Sequence, residues 1–147
     1  LMSARLGLDR LTWYFYANTG GASSLYARSG LTASAATGFA EKRSFKALES
    51  MVNMIGDKHF IDVIQEDEEA WVYLLGDENG NPTHLAAWRP INGNDESTIT
   101  IDIDLNKTAV EARILDCFSS EGQSTSLPSS NNGTMTLSIT SAPLIVD

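Results

Sequence analysis

Carboxylates bring the most obvious chemistry to this sequence, and they gather in two runs, Glu66-Asp67-Glu68-Glu69 and Asp77-Glu78. A pair of carboxylates can act as acid and base only when a site holds them at fixed separation and pushes their pKa values apart. Consecutive acids among polar, turn-forming residues are instead expected at solvated turns. The histidines His59 and His84 lie far apart, with no Cys or Asp at ligand spacing, so no metal site is expected. Asp77-Glu78-Asn79-Gly80-Asn81 offers oxygens in the manner of a calcium loop, but it lacks alternating ligands and a terminal glutamate, and a hairpin turn accounts for it. The single cysteine, Cys117, has no partner for an intrachain disulfide; within Arg113-Ile114-Leu115-Asp116-Cys117-Phe118 it reads as a buried, inert thiol on a strand. No Gly-rich phosphate loop, nucleophile elbow or Cys-x-x-Cys pair occurs, and no cofactor is expected. Asn106-Lys107-Thr108 and Asn132-Gly133-Thr134 match the glycosylation acceptor pattern, which is frequent by chance. Trp71, Tyr73 and Trp88 alternate along adjacent apolar segments, which reads as core, with a stacking platform for sugar rings as the alternative.

The elements that must position these residues follow from periodicity. Residues 3–7 read as the end of a helix stopped by Gly7. Residues 9–17 are dense in aromatic and β-branched types and apolar on both faces, as expected of a parallel strand covered on two sides. Residues 18–38 are small and polar, a long loop of the kind that often carries function. Thr37 is the expected N-cap of a helix, with Glu41 complementing its dipole. Phe45, Leu48, Val52 and Ile55, with Met51 beside them, form its apolar stripe, and Gly56 ends it. After Gly56 the period changes from 3.6 to 2. Strands are expected at 59–65, 70–75, 84–88, 98–105, 112–118, 134–140 and 144–146, with an Asn-Gly hairpin after the second and a polar loop over 119–133.

With 147 residues, 42% of them hydrophobic, the chain can bury one core and a small satellite. Acidic residues outnumber basic ones 19 to 10, the net charge is −9, and no Lys/Arg cluster offsets it, so nucleic acid and anionic membranes are disfavoured as partners. No apolar run approaches the roughly 20 residues that cross a bilayer. Residues 1–5 have neither the basic nor the apolar region of a signal peptide, and a start at Leu1 suggests a natural N-terminus further upstream. Compartment is not legible.

Leu6-Gly7-Leu8-Asp9-Arg10-Leu11-Thr12-Trp13-Tyr14, followed by Ala47-Leu48-Glu49-Ser50-Met51-Val52-Asn53-Met54-Ile55-Gly56, resembles the eighth β/α unit of clan A (β/α)8 glycoside hydrolases. The continuation through His59-Phe60-Ile61-Asp62-Val63, Ala70-Trp71-Val72-Tyr73-Leu74-Leu75, Leu85-Ala86-Ala87-Trp88, Ile114-Leu115-Asp116-Cys117-Phe118 and Ser141-Ala142-Pro143-Leu144-Ile145-Val146 is similar to the β-sandwich that follows the barrel in several of those families. The fold the resemblance implies is mainly β: an antiparallel β-sandwich over residues 58–147, preceded over residues 1–57 by one strand-loop-helix unit left from a barrel. It also implies that the catalytic glutamates, which close the fourth and seventh barrel strands, lie upstream of Leu1. No residue here inherits either role, and the chain alone is expected to be inactive.

Barrel sites lie at the C-terminal ends of the strands. The resemblance therefore makes Trp13, Tyr16 and Asn18 the candidate sugar-contacting residues, Trp13 by type and the other two by position. The expected partners are carbohydrate, through the parent enzyme, and either the rest of the barrel or a second copy against the strand and helix. The alternative function is a carbohydrate-binding module working through Trp71, Tyr73 or Trp88.

Overall fold

The computed structural model describes residues 1–8, 11–13, 16–19, 26–91, 97–105 and 107–147. The chain opens with a single helical turn, α1 (Met2–Arg5). Gly7 at φ 68° ends it: the Gly7 amide donates to Ala4 O and the Leu8 amide to Ser3 O, both 3.0 Å. Those two bonds are the pair that closes a helix through a left-handed glycine.

The expected strand over residues 9–17 is reduced, among its described residues, to one parallel bridge between Ala17 and Thr32. Thr32 also bridges Glu41 in the antiparallel sense. Among its described residues, the following loop carries 3-10 turns at Tyr26–Arg28 and Ala35–Thr37. Thr37 is not an N-cap; it closes the second turn, its hydroxyl donating to Ser34 O at 2.9 Å. Gly38 and Phe39 then both take left-handed φ, 66° and 59°, which no right-handed helix can continue through.

The helix α2 (Arg43–Ile55) therefore starts later than expected, behind Lys42, which makes no side-chain cap. Glu41 lies before it rather than in its first turn, and pairs with Lys46 at 2.8 Å. Gly56 ends the helix as expected, in a right-handed conformation. The apolar arc of α2 is wider than the surface it meets. Met54 and Ile55 pack on a sheet and Ser50 is fully buried, whereas Val52, expected in the covered stripe, is 54% exposed.

From His59 onward the alternation is realised, among the described residues, as nine strands: β1 (His59–Glu66), β2 (Trp71–Gly76), β3 (Pro82–Trp88), β4 (Ile99–Asp104), β5 (Ala112–Ile114), β6 (Gln123–Ser124), β7 (Ser129–Asn131), β8 (Thr134–Ile139) and β9 (Leu144–Val146). They form a six-stranded sheet in the order β1-β2-β3-β9-β5-β6 and a three-stranded sheet in the order β4-β8-β7, with every strand pair antiparallel. The β2–β3 hairpin turns on Gly80 alone, at φ 79°, with Asn79 keeping negative φ. Strand β5 stops at Ile114, so Cys117 lies beyond it and is half-buried rather than sealed in the core. The expected polar loop over 119–133 contributes β6 and β7.

The core lies between the sheets, where Val72, Leu85, Ile101, Leu137, Leu144 and Val146 interdigitate. Each such aliphatic side chain contributes about 1.5–3 kcal/mol on burial. A second cluster, Leu75, Ala86 and Ile145, occupies the opposite face of the large sheet under Leu1, Met54, Ile55, Phe60 and Trp88. The large sheet is thus covered on both faces, by the small sheet on one and by the helical segments on the other. The result is an antiparallel β-sandwich preceded by a helical unit.

Candidate functional site

The three sugar-contacting candidates converge on one short segment. Trp13 donates its indole N–H to Ser29 O at 2.8 Å, leaving its ring 49% exposed. Tyr16 accepts the Thr32 amide at 2.9 Å through its carbonyl and turns its ring outward, 64% exposed. Asn18 donates its amide to Thr32 O at 3.0 Å, and its Oδ1 accepts from the Gly30 amide at 3.2 Å and from Lys42 Nζ at 3.4 Å. Trp13 and Tyr16 thus keep free ring surface, whereas the side-chain oxygen of Asn18 is used to hold the loop.

Lys42 organises this node, and nothing in its sequence setting announces it. Besides Asn18, its ammonium donates to Gly30 O at 2.6 Å and Arg28 O at 2.7 Å. Three oxygens around one ammonium tie the start of α2 to the segment after Ala17. Gly30 fits there because it has no side chain: a Cβ would overlap the backbone of Ala17 and Asn18. The position therefore requires glycine for close approach rather than for an unusual φ.

The aromatic residues of the sandwich form a different kind of place. Trp71 and Trp88 are cross-strand partners, with ring centroids 5.7 Å apart at 66°. Tyr73 meets Trp88 edge-on at 5.0 Å and Phe60 edge-on at 5.7 Å; only Trp71 and Tyr73 approach a parallel arrangement, 6.4 Å and 21°. Tyr73 is buried, so the three rings do not make the coplanar, open platform that sugar stacking requires. Its hydroxyl donates to Glu66 Oε2 at 2.9 Å, and Arg5 of α1 donates to the same oxygen at 2.7 Å. Burial, reinforced by the Glu66 carboxylate, pushes the Tyr73 phenol up to about 12. This cluster is the seat on which the helical segments rest.

The acidic runs build turns. Asp67 accepts the amides of Glu69 and Ala70 at 2.8 and 2.9 Å and the Gln65 side chain at 2.9 Å, and the backbone bond from Ala70 leads in holding its carboxyl below the ordinary range. Asp77 accepts from the Asn79 amide and from the amide and side chain of Asn81, each at 2.9 Å, and Asn81 holds it low likewise. A general acid at neutral pH needs a raised pKa, so neither suits that role. His84 has Nδ1 2.9 Å from Thr83 Oγ1 and 3.8 Å from Asp147 Oδ1, and burial lowers its pKa against the pull of Asp147. Among the described residues no group of three His, Cys, Asp or Glu side chains is placed to hold a metal ion. No described helix is long and apolar enough to cross a membrane.

A solved structure shares this fold. The chain is similar to a family 39 glycoside hydrolase from the gut symbiont Bacteroides cellulosilyticus WH2, with a TM-score of 0.64 and 18% identity over 89% of this chain and 24% of that one. It also matches a GH30 endoxylanase from Clostridium papyrosolvens C71, with a TM-score of 0.49 and 12% identity over 80% of this chain and 29% of that one. The chain therefore spans between 24% and 29% of the length of these structures, and the likeness is one of fold. No protein-family model matches the chain, and no curated protein matches it. The chain has the architecture of a part of a glycoside hydrolase chain.

Proposed function

We propose that the chain is the C-terminal part of a (β/α)8 glycoside hydrolase. Residues 1–57 are the last β/α unit of an incomplete barrel, and residues 58–147 are the sandwich that buttresses it. The observation that carries this reading is the two-sidedness of the first unit. One side is tied down, through Lys42 and through Met54 and Ile55 on the large sheet. Elsewhere on that unit Leu11 is 74% exposed and Val52 is 54% exposed. A strand and helix of a closed barrel have that distribution of apolar surface once the neighbouring strands and helices are taken away.

In the whole enzyme the exposed rings of Trp13 and Tyr16 face the sugar at the end of the eighth strand, and Asn18 keeps the adjoining loop in place. The role of the sandwich is structural: it covers the outer side of α2 and fixes α1 through Arg5, Glu66 and Tyr73. Carbohydrate is reached through the parent enzyme. The open flank is met by the rest of the barrel or, in its absence, by another copy.

The catalytic carboxylates belong to the absent strands, so the purified chain hydrolyses no glycoside. The check is an aryl-glycoside assay on chain whose folding is verified by circular dichroism. Turnover abolished by one acidic substitution within it, such as Glu66→Gln, would overturn the reading.

A further inference from the structure

The end of the sandwich where β3, β9 and β8 meet the segment after Leu105 is hollow. A cavity of about 200 Å³ opens there between the sheets. Its inner walls are Leu74, Leu85, Leu105, Met135 and Val146, and three of these, Leu85, Met135 and Val146, belong to the buried core. The recess is half open to solvent, and core side chains form its base. A water there would need two to four polar partners, and the side chains of those walls supply none. The polar side chains that line the recess are half-buried Thr83 and His84, with exposed Lys107, Thr108 and Asp147.

We infer that this recess binds a small neutral ring bearing a single hydroxyl, of the phenol class. Size sets the ring: an apolar cavity of about 150 Å³ accepts benzene, and the larger recess here leaves room for one small substituent. The walls set the apolar body, because displacing poorly held water from such a surface is favourable. The mouth sets the rest. The charges of Lys107 and Asp147 are of opposite sign, so neither an anion nor a cation gains a net attraction, whereas a hydroxyl finds donors and acceptors among these two, Thr83, His84 and Thr108. The site involves none of Trp13, Tyr16 or Asn18, and it stands or falls independently of the proposed function.

The test uses the full chain with methyl-13C methionine and para-cresol as the probe. Met135 lies on the cavity wall, whereas Met2, Met51 and Met54 lie outside it and serve as internal controls. A saturable shift of the Met135 methyl, with the other three unmoved and with sodium benzoate producing less, is the expected result. Ala109→Leu and Leu105→Trp each fill the recess from a different wall, and the shift is lost in whichever remains folded by circular dichroism. No saturable shift at Met135, equal shifts at all four methionines, or a shift undiminished in the folded filled variants would each overturn the assignment.

Discussion

Lys42 does the most single-handed work of any side chain near the first unit. Its ammonium replaces water for the carbonyls of Arg28 and Gly30, and Gly30 is buried. In Lys42→Met the stem remains and those acceptors lose their donor, at a cost of about 1–3 kcal/mol. Urea denaturation gives the loss, and hydrogen exchange at the Asn18 and Thr32 amides should accelerate with it. Tyr73 offers a second handle, through pH. Its folded pKa, about 12, lies above the ordinary value of 10.0, so the fold favours the neutral phenol. That contribution is fully present below pH 10 and is lost as pH rises through about 12. Stability measured against pH should therefore fall in that alkaline window for the native chain. In Tyr73→Phe the fall should be absent, with a loss of about 0.5–1.5 kcal/mol at neutral pH from the missing bond to Glu66.

Helix α2 shows how one element can be legible in type and misread in orientation. The spacing of Phe45, Leu48, Val52 and Ile55 correctly marks a helix, but the sheet takes the side carrying Ser50, Met54 and Ile55. Ser50 Oγ is fully buried and has no hydrogen-bond partner among the described residues. Ser50→Ala should accordingly raise stability by about 1 kcal/mol, since it removes an unmet polar group. Val52→Lys, at the bare flank of the same helix, should leave stability within about 0.5 kcal/mol. Thermal unfolding of the two variants side by side separates the two faces. Strand β1, at the edge of the large sheet, carries register shifts between Phe60 and Asp62 and between Val63 and Gln65. Such bulges discourage pairing with a further strand, so the sandwich is guarded at an edge where the first unit is open.

At the scale of the whole molecule, a net charge of −9 opposes association while exposed apolar side chains of the first unit such as Leu11 and Val52 favour it. Charge repulsion is screened by salt, whereas burial of apolar surface is not. The chain should therefore self-associate more strongly as ionic strength rises, and the double variant Leu11→Asp with Val52→Glu should remain monomeric. Light scattering across a salt series is the measurement. A native chain that stays monomeric throughout would count against an uncovered barrel flank.

Sequence alone determined the sandwich and the order of its long strands, because a period of two is written locally and each inward residue declares itself. It also marked the acidic runs as turns, since Asp67 and Asp77 bond backbone amides within four residues of themselves. Tertiary structure decided which strands became neighbours, which side of α2 was covered, and that the rings of Trp71, Tyr73 and Trp88 meet mostly edge-on with Tyr73 buried. It also decided the role of Lys42, whose acceptors at Arg28 and Gly30 stand 14 and 12 positions away. The division has one physical cause. Turn chemistry and alternation are set by neighbours along the chain, whereas burial and ammonium coordination are set by whatever the completed fold brings within reach.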